Sequence, residues 1–427
     1  MNIILFYEHL TREWNSLVDL KQDLENKGNR VIIFSIIYER YKALTYAKRY
    51  HPDVLFVPWF VDESHERIYA PFIKLNENLI IINLHHEEIG SAATYPVYMP
   101  KTNYTKNGSF HFVWGDSFAE HLFGSGVMFD RVYITGNIRT DSVIKKTDID
   151  KKKLGELYSL DPQKKWILFA ENRGYYVQRI NNQLRQELIR RGMTSELIDC
   201  RSNYEKESLD LFVSDLDNVD PYLKDNYEFI YRPHPGTHEP EGLPGWVHVN
   251  SERSIYDWIE ACDLFLTTGS TSIFEAELYH KPCAIYDPLP VPKNIHIEAL
   301  NDYPRFWSIS EINEKAINEL NKFFAQNDKE IYKRYIGACD GFAKVRIIDS
   351  LYNIKNNFDL TILAEFSKEI SVDSLQNYLR HYIYEIVTFL FTKTGLLYKL
   401  KFPRSAYGES KDIPYGKEAD WIRSISH

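Results

Sequence analysis

The sequence has no cysteine framework. Its 4 cysteines, Cys200, Cys262, Cys283 and Cys339, stand far apart, with neither a CxxC pair nor a His–Cys cluster. That spacing excludes a disulfide scaffold or structural zinc site and fits reduced thiols. No stretch approaches the ~18 to 20 apolar residues that span a bilayer. The N-terminus, MNIILFYEHL, runs straight into a short strand and shows no basic, then apolar, leader. A cytoplasmic protein is therefore expected. A basic excess is missing too: the net charge is −9, which argues against nucleic acid as the main partner but leaves room for a local basic cleft. Also absent are a GxGxxG fingerprint, a Walker lysine loop, low-complexity tracts and short fixed-period repeats.

What is there begins with 427 residues, 44% hydrophobic and 26% charged, a globular composition too long for one ordinary core. The aromatic surplus, 30 Tyr and 24 Phe, reads first as core filling and second as carbohydrate or base stacking. β-Branched and aromatic runs predict strands at Asn2–Phe6, Arg30–Ser35, Asp53–Pro58, Leu79–Leu84, Phe110–Trp114 and Arg131–Thr135. Between the first two, Leu17, Leu20 and Leu24 recur at helical spacing before Gly28. A charged connector, Asp148–Leu160, precedes a second series of strands at Trp166–Ala170, Glu228–Arg232, Trp246–Asn250, Asp263–Thr267 and Pro282–Tyr286. Helices are expected at Trp14–Lys27, Ile180–Arg191, Ile255–Ala261, Ser272–Tyr279 and Ile312–Ala325.

Two alternating series imply an α/β chain with two Rossmann-like domains facing a cleft. Their expected limits are 1–147 and 160–330, with a helical extension over 331–427. Within that extension, Ser374–Lys401 is aromatic-rich and apolar with basic residues behind it. Packing back onto the domain pair is the preferred reading there, and a peripheral membrane contact is its rival. Residues 402–427 carry no readable chemistry.

Three strand-end motifs carry the chemistry. In Tyr231-Arg232-Pro233-His234-Pro235-Gly236, two prolines restrict the backbone on either side of His234. An imidazole so held can donate to a phosphate oxygen, and Arg232 can add a second contact. Thr267-Thr268-Gly269-Ser270-Thr271-Ser272 lies between a strand and a helix. Its hydroxyls and amides form a candidate anion site, beyond what one N-cap needs. Glu275 and Glu277 follow and are candidates for a ribose contact. Leu84-His85-His86-Glu87-Glu88-Ile89-Gly90 ends a strand of the first domain. Adjacent carboxylates and imidazoles there can leave one group ready to take a hydroxyl proton. No metal is expected, because HHEE lacks the i, i+4 spacing of a helical HExxH and no third ligand is evident. Weaker signals are Trp114-Gly115-Asp116, Thr135-Gly136-Asn137 and Asn172-Arg173-Gly174, each following a predicted strand.

The ordered set HHEEIG, WGD, TGNIRTD, YRPHPG, GSTS and EAELYHKPCAIYDP resembles bacterial surface-polysaccharide glycosyltransferases of the GT-B fold, including capsule Kdo and nonulosonic-acid transferases. It is more distantly similar to sialyl- and polysialyltransferases, and spans roughly residues 1–330. The resemblance implies inverting, metal-independent transfer of an acidic sugar from a CMP-activated donor to a glycan or glycolipid acceptor, without a further cofactor. In those terms Glu87 or Glu88 is the general base and His234 faces the CMP phosphate. Ser270, Thr271 and Ser272 match the Ser/Thr motif, and Ile89 before Gly90 departs from the family pattern. Arg232, Pro235, Gly269, Glu275, Asn172 and Arg173 complete the expected donor set, with His85 and His86 at the acceptor. Rival readings are glycerol-phosphate transfer from CDP-glycerol, a UDP-sugar 2-epimerase, and a glycan-binding protein with an inert cleft.

Overall fold

The computed structural model describes residues 1–8, 10–143, 149–173, 182–234, 240–326, 331–370, 379–383 and 386. It divides into two compact units. The first comprises residues 1–88, 98–142 and 334 onward, and the second residues 89–97 and 143–333.

In the first unit, strands β1 (Asn2–Tyr7), β2 (Arg30–Ser35), β3 (Val54–Val57), β4 (Ile80–Asn83), β5 (Phe110–Val113) and β6 (Val132–Ile134) form one parallel sheet in the order β2-β1-β3-β4-β5-β6. Side chains alternate across it. Ile3, Leu5 and Tyr7 meet Leu17, Leu20 and Leu24 of the helix Leu10–Asn26 on one face. Ile4 and Phe6 meet Ala43, Leu44 and Tyr69 on the other. Each fully buried Leu, Ile or Phe contributes roughly 1.5–3 kcal/mol of transfer free energy, so both faces are needed to hold the sheet.

The expected 331–427 extension is helical over its described part, and its helices are built into the first unit. The helices Ala343–Asn357 and Thr361–Ser367 place Ile347, Ile348, Leu351, Ile354 and Leu363 in the same core as β1 and β3. They are a layer of the first unit, not an appendage. Most of 374–401, all of 402–427, and Pro235 and Gly236 lie outside the described residues. Among the described residues no helix is long and apolar enough to cross a membrane.

The second unit repeats the design with β7 (Lys165–Ala170), β8 (Tyr227–Arg232), β9 (Val247–Val249), β10 (Leu264–Thr267), β11 (Cys283–Tyr286) and β12 (Arg305–Phe306) in the parallel order β12-β11-β10-β7-β8-β9. Its core stacks aromatic rings: Phe169 lies 4.3 Å from Phe212 and 5.8 Å from Tyr231, centroid to centroid. Phe212 belongs to the helix Ser195–Asp217, which the sequence pattern did not reveal.

Candidate functional site

The second sheet reverses its strand order between β7 and β10, and crevices in open parallel sheets form at such points beyond the carboxyl ends of the strands. Here the chain leaves β7 through Glu171, Asn172 and Arg173, and leaves β10 through Thr268 and Gly269. Gly269 has φ +148, and a Cβ there would stand 3.2 Å from Asn172 Nδ2. Only glycine suits that backbone. The two strand ends therefore touch.

Glu171 organises the first of these loops. It is buried, and its carboxylate accepts the backbone N–H groups of Asn172 (2.8 Å) and Arg173 (2.7 Å), the Arg173 guanidinium at Nε (2.7 and 2.9 Å), and the Tyr231 hydroxyl (2.6 Å). Burial alone would raise its pKa. The Arg173 charge and these hydrogen bonds outweigh burial and hold it below the usual carboxylate range. Arg173, also buried, keeps one donor in reserve, since Nη1 has no hydrogen-bond partner among the described residues. Thr268 Oγ1 is likewise buried and without one. Both residues line a recess of about 540 Å³, counting its open mouth, together with Asn172, Tyr204, Asp287 and Arg305. The far wall is preset: Arg305 Nη1 donates to Asp287 Oδ2 at 2.8 Å and the Tyr204 hydroxyl to Oδ1 at 3.3 Å. Buried donors left unmatched cost about 1–3 kcal/mol each, and an oxygen-rich ligand would satisfy them.

Several expected site residues fall on this edge. His234 is half-exposed two positions beyond β8, and Asn172 and Arg173 line the recess directly. The Ser/Thr loop is differently used. Thr267 Oγ1 donates to Ala170 O (2.8 Å) and accepts the amides of Gly269 (3.2 Å) and Ser270 (2.9 Å), while Ser270 Oγ accepts that of Ser272 (3.2 Å). Those amides are spent on the turn, so the loop offers hydroxyls more than backbone N–H groups. Thr271 and Ser272 are half-buried at the start of the helix Ser272–Leu278, and Glu275 is buried on it. Arg232 sits at the end of β8, where its Nη groups donate to the carbonyls of Glu252 (2.9 Å) and Arg253 (2.7 Å).

In the first unit, HHEE separates into different fates. His85, expected at the acceptor, is fully buried with φ +45. Its Nε2 lies 2.9 Å from Nδ1 of His111, whose Nε2 lies 3.0 Å from the Lys106 carbonyl. That carbonyl can only accept, so His111 carries its proton on Nε2 and His85 donates from Nε2. Burial lowers both pKa values, His111 to about 4 and His85 well below its ordinary value. His85 is a neutral structural strut. Glu88 is a correction: it is buried, with both carboxylate oxygens on the Trp114 amide at 3.0 and 2.8 Å. Burial pushes its carboxyl well up, against the pull of that amide and of Arg139. It ties the β4 end to the β5 end and is not available as a base. Glu87 and His86 remain, the former half-exposed and the latter buried on the rim of a recess. Sequence reasoning missed Glu171, Tyr204, Asp287 and Arg305. Glu171 and Asp287 had a local signal, each directly following a predicted strand.

No family model matches the chain, and no curated protein does. Solved structures do. A putative UDP-N-acetylglucosamine 2-epimerase from Listeria monocytogenes matches with TM-score 0.51 and 12% identity, over 84% of this chain and 97% of that one. The UDP-GlcNAc 2-epimerase of Methanocaldococcus jannaschii gives 0.50 and 14%, over 82% and 99%. The wall teichoic acid polymerase TagF, as its H548A variant, gives 0.53 and 12%, over 84% and 90%. The fold is GT-B-like. At these identities the likeness speaks for architecture, and the site must speak for chemistry.

Proposed function

We propose that this chain is a group-transfer enzyme of the glycosyltransferase superfamily that takes a nucleotide-activated donor and builds a surface glycan. One observation carries the reading. The switch point of the second sheet holds a buried guanidinium and a buried hydroxyl, each with an atom that has no hydrogen-bond partner among the described residues, both on a recess. Arg173 Nη1, Thr268 and Asn172 would receive donor oxygens, and His234 would approach the phosphate from the end of β8. As the nucleotide departs, such donors stabilise its growing charge, an effect worth about 3–4 kcal/mol per donor in well-studied cases.

For the donor itself, the sequence motifs favour a CMP-linked acidic sugar. The fold matches favour the rivals: they are named as UDP-N-acetylglucosamine 2-epimerases and as a teichoic acid polymerase soaked with CDPG. Glycerol-phosphate transfer from CDP-glycerol is accordingly the second reading, and an epimerase needing no acceptor is the third. Thermal melts with CMP, CDP, UDP and GDP, then turnover of CMP-N-acetylneuraminate, CDP-glycerol and UDP-N-acetylglucosamine, separate the three. A ligand at a hundredfold excess over its Kd adds ~2.7 kcal/mol of stability. If no nucleotide at millimolar concentration shifts the melting temperature, the reading falls. His234→Ala is expected to keep the melt and lose most turnover.

A further inference from the structure

The recess at the β7–β10 switch point offers more than a grip on phosphate. Its described lining carries three guanidiniums, Arg173, Arg201 and Arg305. Each already has a carboxylate of its own: Glu171 lies 2.7 and 2.9 Å from Arg173 Nε, Glu205 3.0 Å from Arg201 Nε, and Asp287 2.8 Å from Arg305 Nη1. All three carboxylates are buried, so salt screens these pairs little. The charges of the described lining therefore cancel, with Tyr204 and His296 as its other titratable groups. What remains is a set of single hydrogen-bonding points. Arg173 Nη1 and Thr268 Oγ1 are buried without a hydrogen-bond partner among the described residues. Asp287 accepts from Tyr204 on one oxygen and from Arg305 on the other, and an ionised carboxylate has room for about four such bonds. Beside these points the lining is aliphatic. Leu300 and Ile297 place their Cδ1 atoms 3.8 and 3.9 Å from where a Cβ on Gly269 would stand, and Ile285, Val291 and Ile295 continue the surface.

Resting on the nucleotide-donor reading above, we infer that this recess holds the group the donor carries, that the group is an uncharged pyranose, and that Asp287 is the residue that shuts out a carboxylate. A pyranose has an apolar face of C–H groups and a rim of hydroxyls that both donate and accept. Aliphatic lining beside isolated donors and an acceptor is the complement of that surface. A carboxylate can only accept. It could use Arg173 Nη1 and Thr268, but it would also meet the lone pairs of Asp287, and every guanidinium of the described lining is already neutralised. Taking it out of water would then go uncompensated. A site shaped for an acidic sugar keeps a guanidinium fork open for it; here all three are engaged. Glycerol phosphate has the same charge problem and no ring face to cover the aliphatic side chains. The charge balance therefore runs against the acidic sugar that the sequence motifs imply.

The test needs donors but no acceptor. Titration calorimetry of the full chain with free CMP, CDP, UDP and GDP first identifies the base. Neutral and acidic donors of that base are then compared, each against its own free nucleotide: UDP-glucose with UDP-glucuronate, CDP-glucose with CMP-N-acetylneuraminate, or GDP-mannose with GDP-mannuronate. The neutral member should bind at least ~10-fold more tightly. Equal or tighter binding of the acidic member, or of CDP-glycerol over CDP-glucose, overturns the inference and leaves the nucleotide reading standing. Silence with all four nucleotides removes that reading and the inference with it. Two variants then ask whether Asp287 sets the preference. Asp287→Asn leaves the Arg305 charge without its partner and should narrow the neutral-to-acidic ratio by about tenfold. Arg305→Gln leaves Asp287 without its cation and should widen the ratio. The ratio is read within each variant, so a general loss of affinity cancels. A merely structural role would move both ratios the same way or neither, and either result overturns the assignment of Asp287.

Discussion

Two buried glutamates, Glu88 and Glu171, end comparable strands of comparable sheets and are treated in opposite ways. Each accepts backbone amides just past a strand. Glu171 is given a guanidinium and a tyrosine hydroxyl, and its carboxyl falls below the usual range. Glu88 receives the Trp114 and Gly115 amides and the more remote charge of Arg139, and burial drives its carboxyl well up. Burial is common to both. A buried partner with opposite charge decides which protonation state survives. The second unit thus keeps charge at its strand ends, where a polar ligand would be held. At Glu88 the first unit discards it.

The largest expected effect follows from breaking the charged side. Glu171→Gln leaves Arg173 buried without a counter-charge and should cost about 3–5 kcal/mol, read as a fall in urea midpoint. The double change Glu171→Gln with Arg173→Met should cost less than the single one, because no charge remains stranded. A single variant within 1 kcal/mol of wild type would mean another group already neutralises Arg173, and the contrast with Glu88 would lose its basis.

Next in size is Gly269→Ala. A Cβ at φ +148 is strained wherever it stands, and here it also crowds Asn172. Roughly 1–3 kcal/mol of destabilisation is expected, with loss of the nucleotide-induced melting shift. Retention of the full shift would move the ligand away from the β7–β10 switch point.

The neutral histidines of the first unit give a pH signature of their own. His85 and His111 have folded pKa values depressed below 6.5 by burial, His111 to about 4. The unfolded chain therefore binds more protons in that window. Stability from this pair is fully present above about pH 6.5 and drains as pH falls toward 4, by ~1 kcal/mol per pH unit for each ring that must stay neutral. Melts in that range should steepen for wild type and flatten for His111→Asn. Equal slopes would mean the rings are already solvated.

Much of this design was legible in the residues. All the predicted strands exist because β-branched and aromatic runs such as RVIIFS and KWILFA have no other stable use between turn signals. β12 escaped because Arg305–Phe306 is too short to show a period. The helix Ser195–Asp217 escaped because Ser202, Glu205 and Ser208 face inward and blur its apolar stripe. HHEE was visible as chemistry, but its division into strut and latch depends on His111 and Trp114, which are remote in sequence. The helical character of the segment after residue 331 was expected. Which sheet it covers is a fact of chain return that no local pattern carries.

The smallest effect is the sharpest test of the opening contrast. Glu88 has a folded pKa raised above its unfolded 4.5, so the folded chain binds the extra proton and stability falls as pH rises through that window. Glutamine has the same shape, keeps an oxygen for the Trp114 amide, and has no proton to lose. Glu88→Gln should therefore lie within about 0.5 kcal/mol of wild type at pH 5, and equal or exceed it at pH 8, where wild type bears the cost of a buried charge. The same exchange at position 171 is severe because there the charge itself is bound. Matching losses at both positions would show that Glu88 is held ionised, and would restore it as a candidate base alongside Glu87.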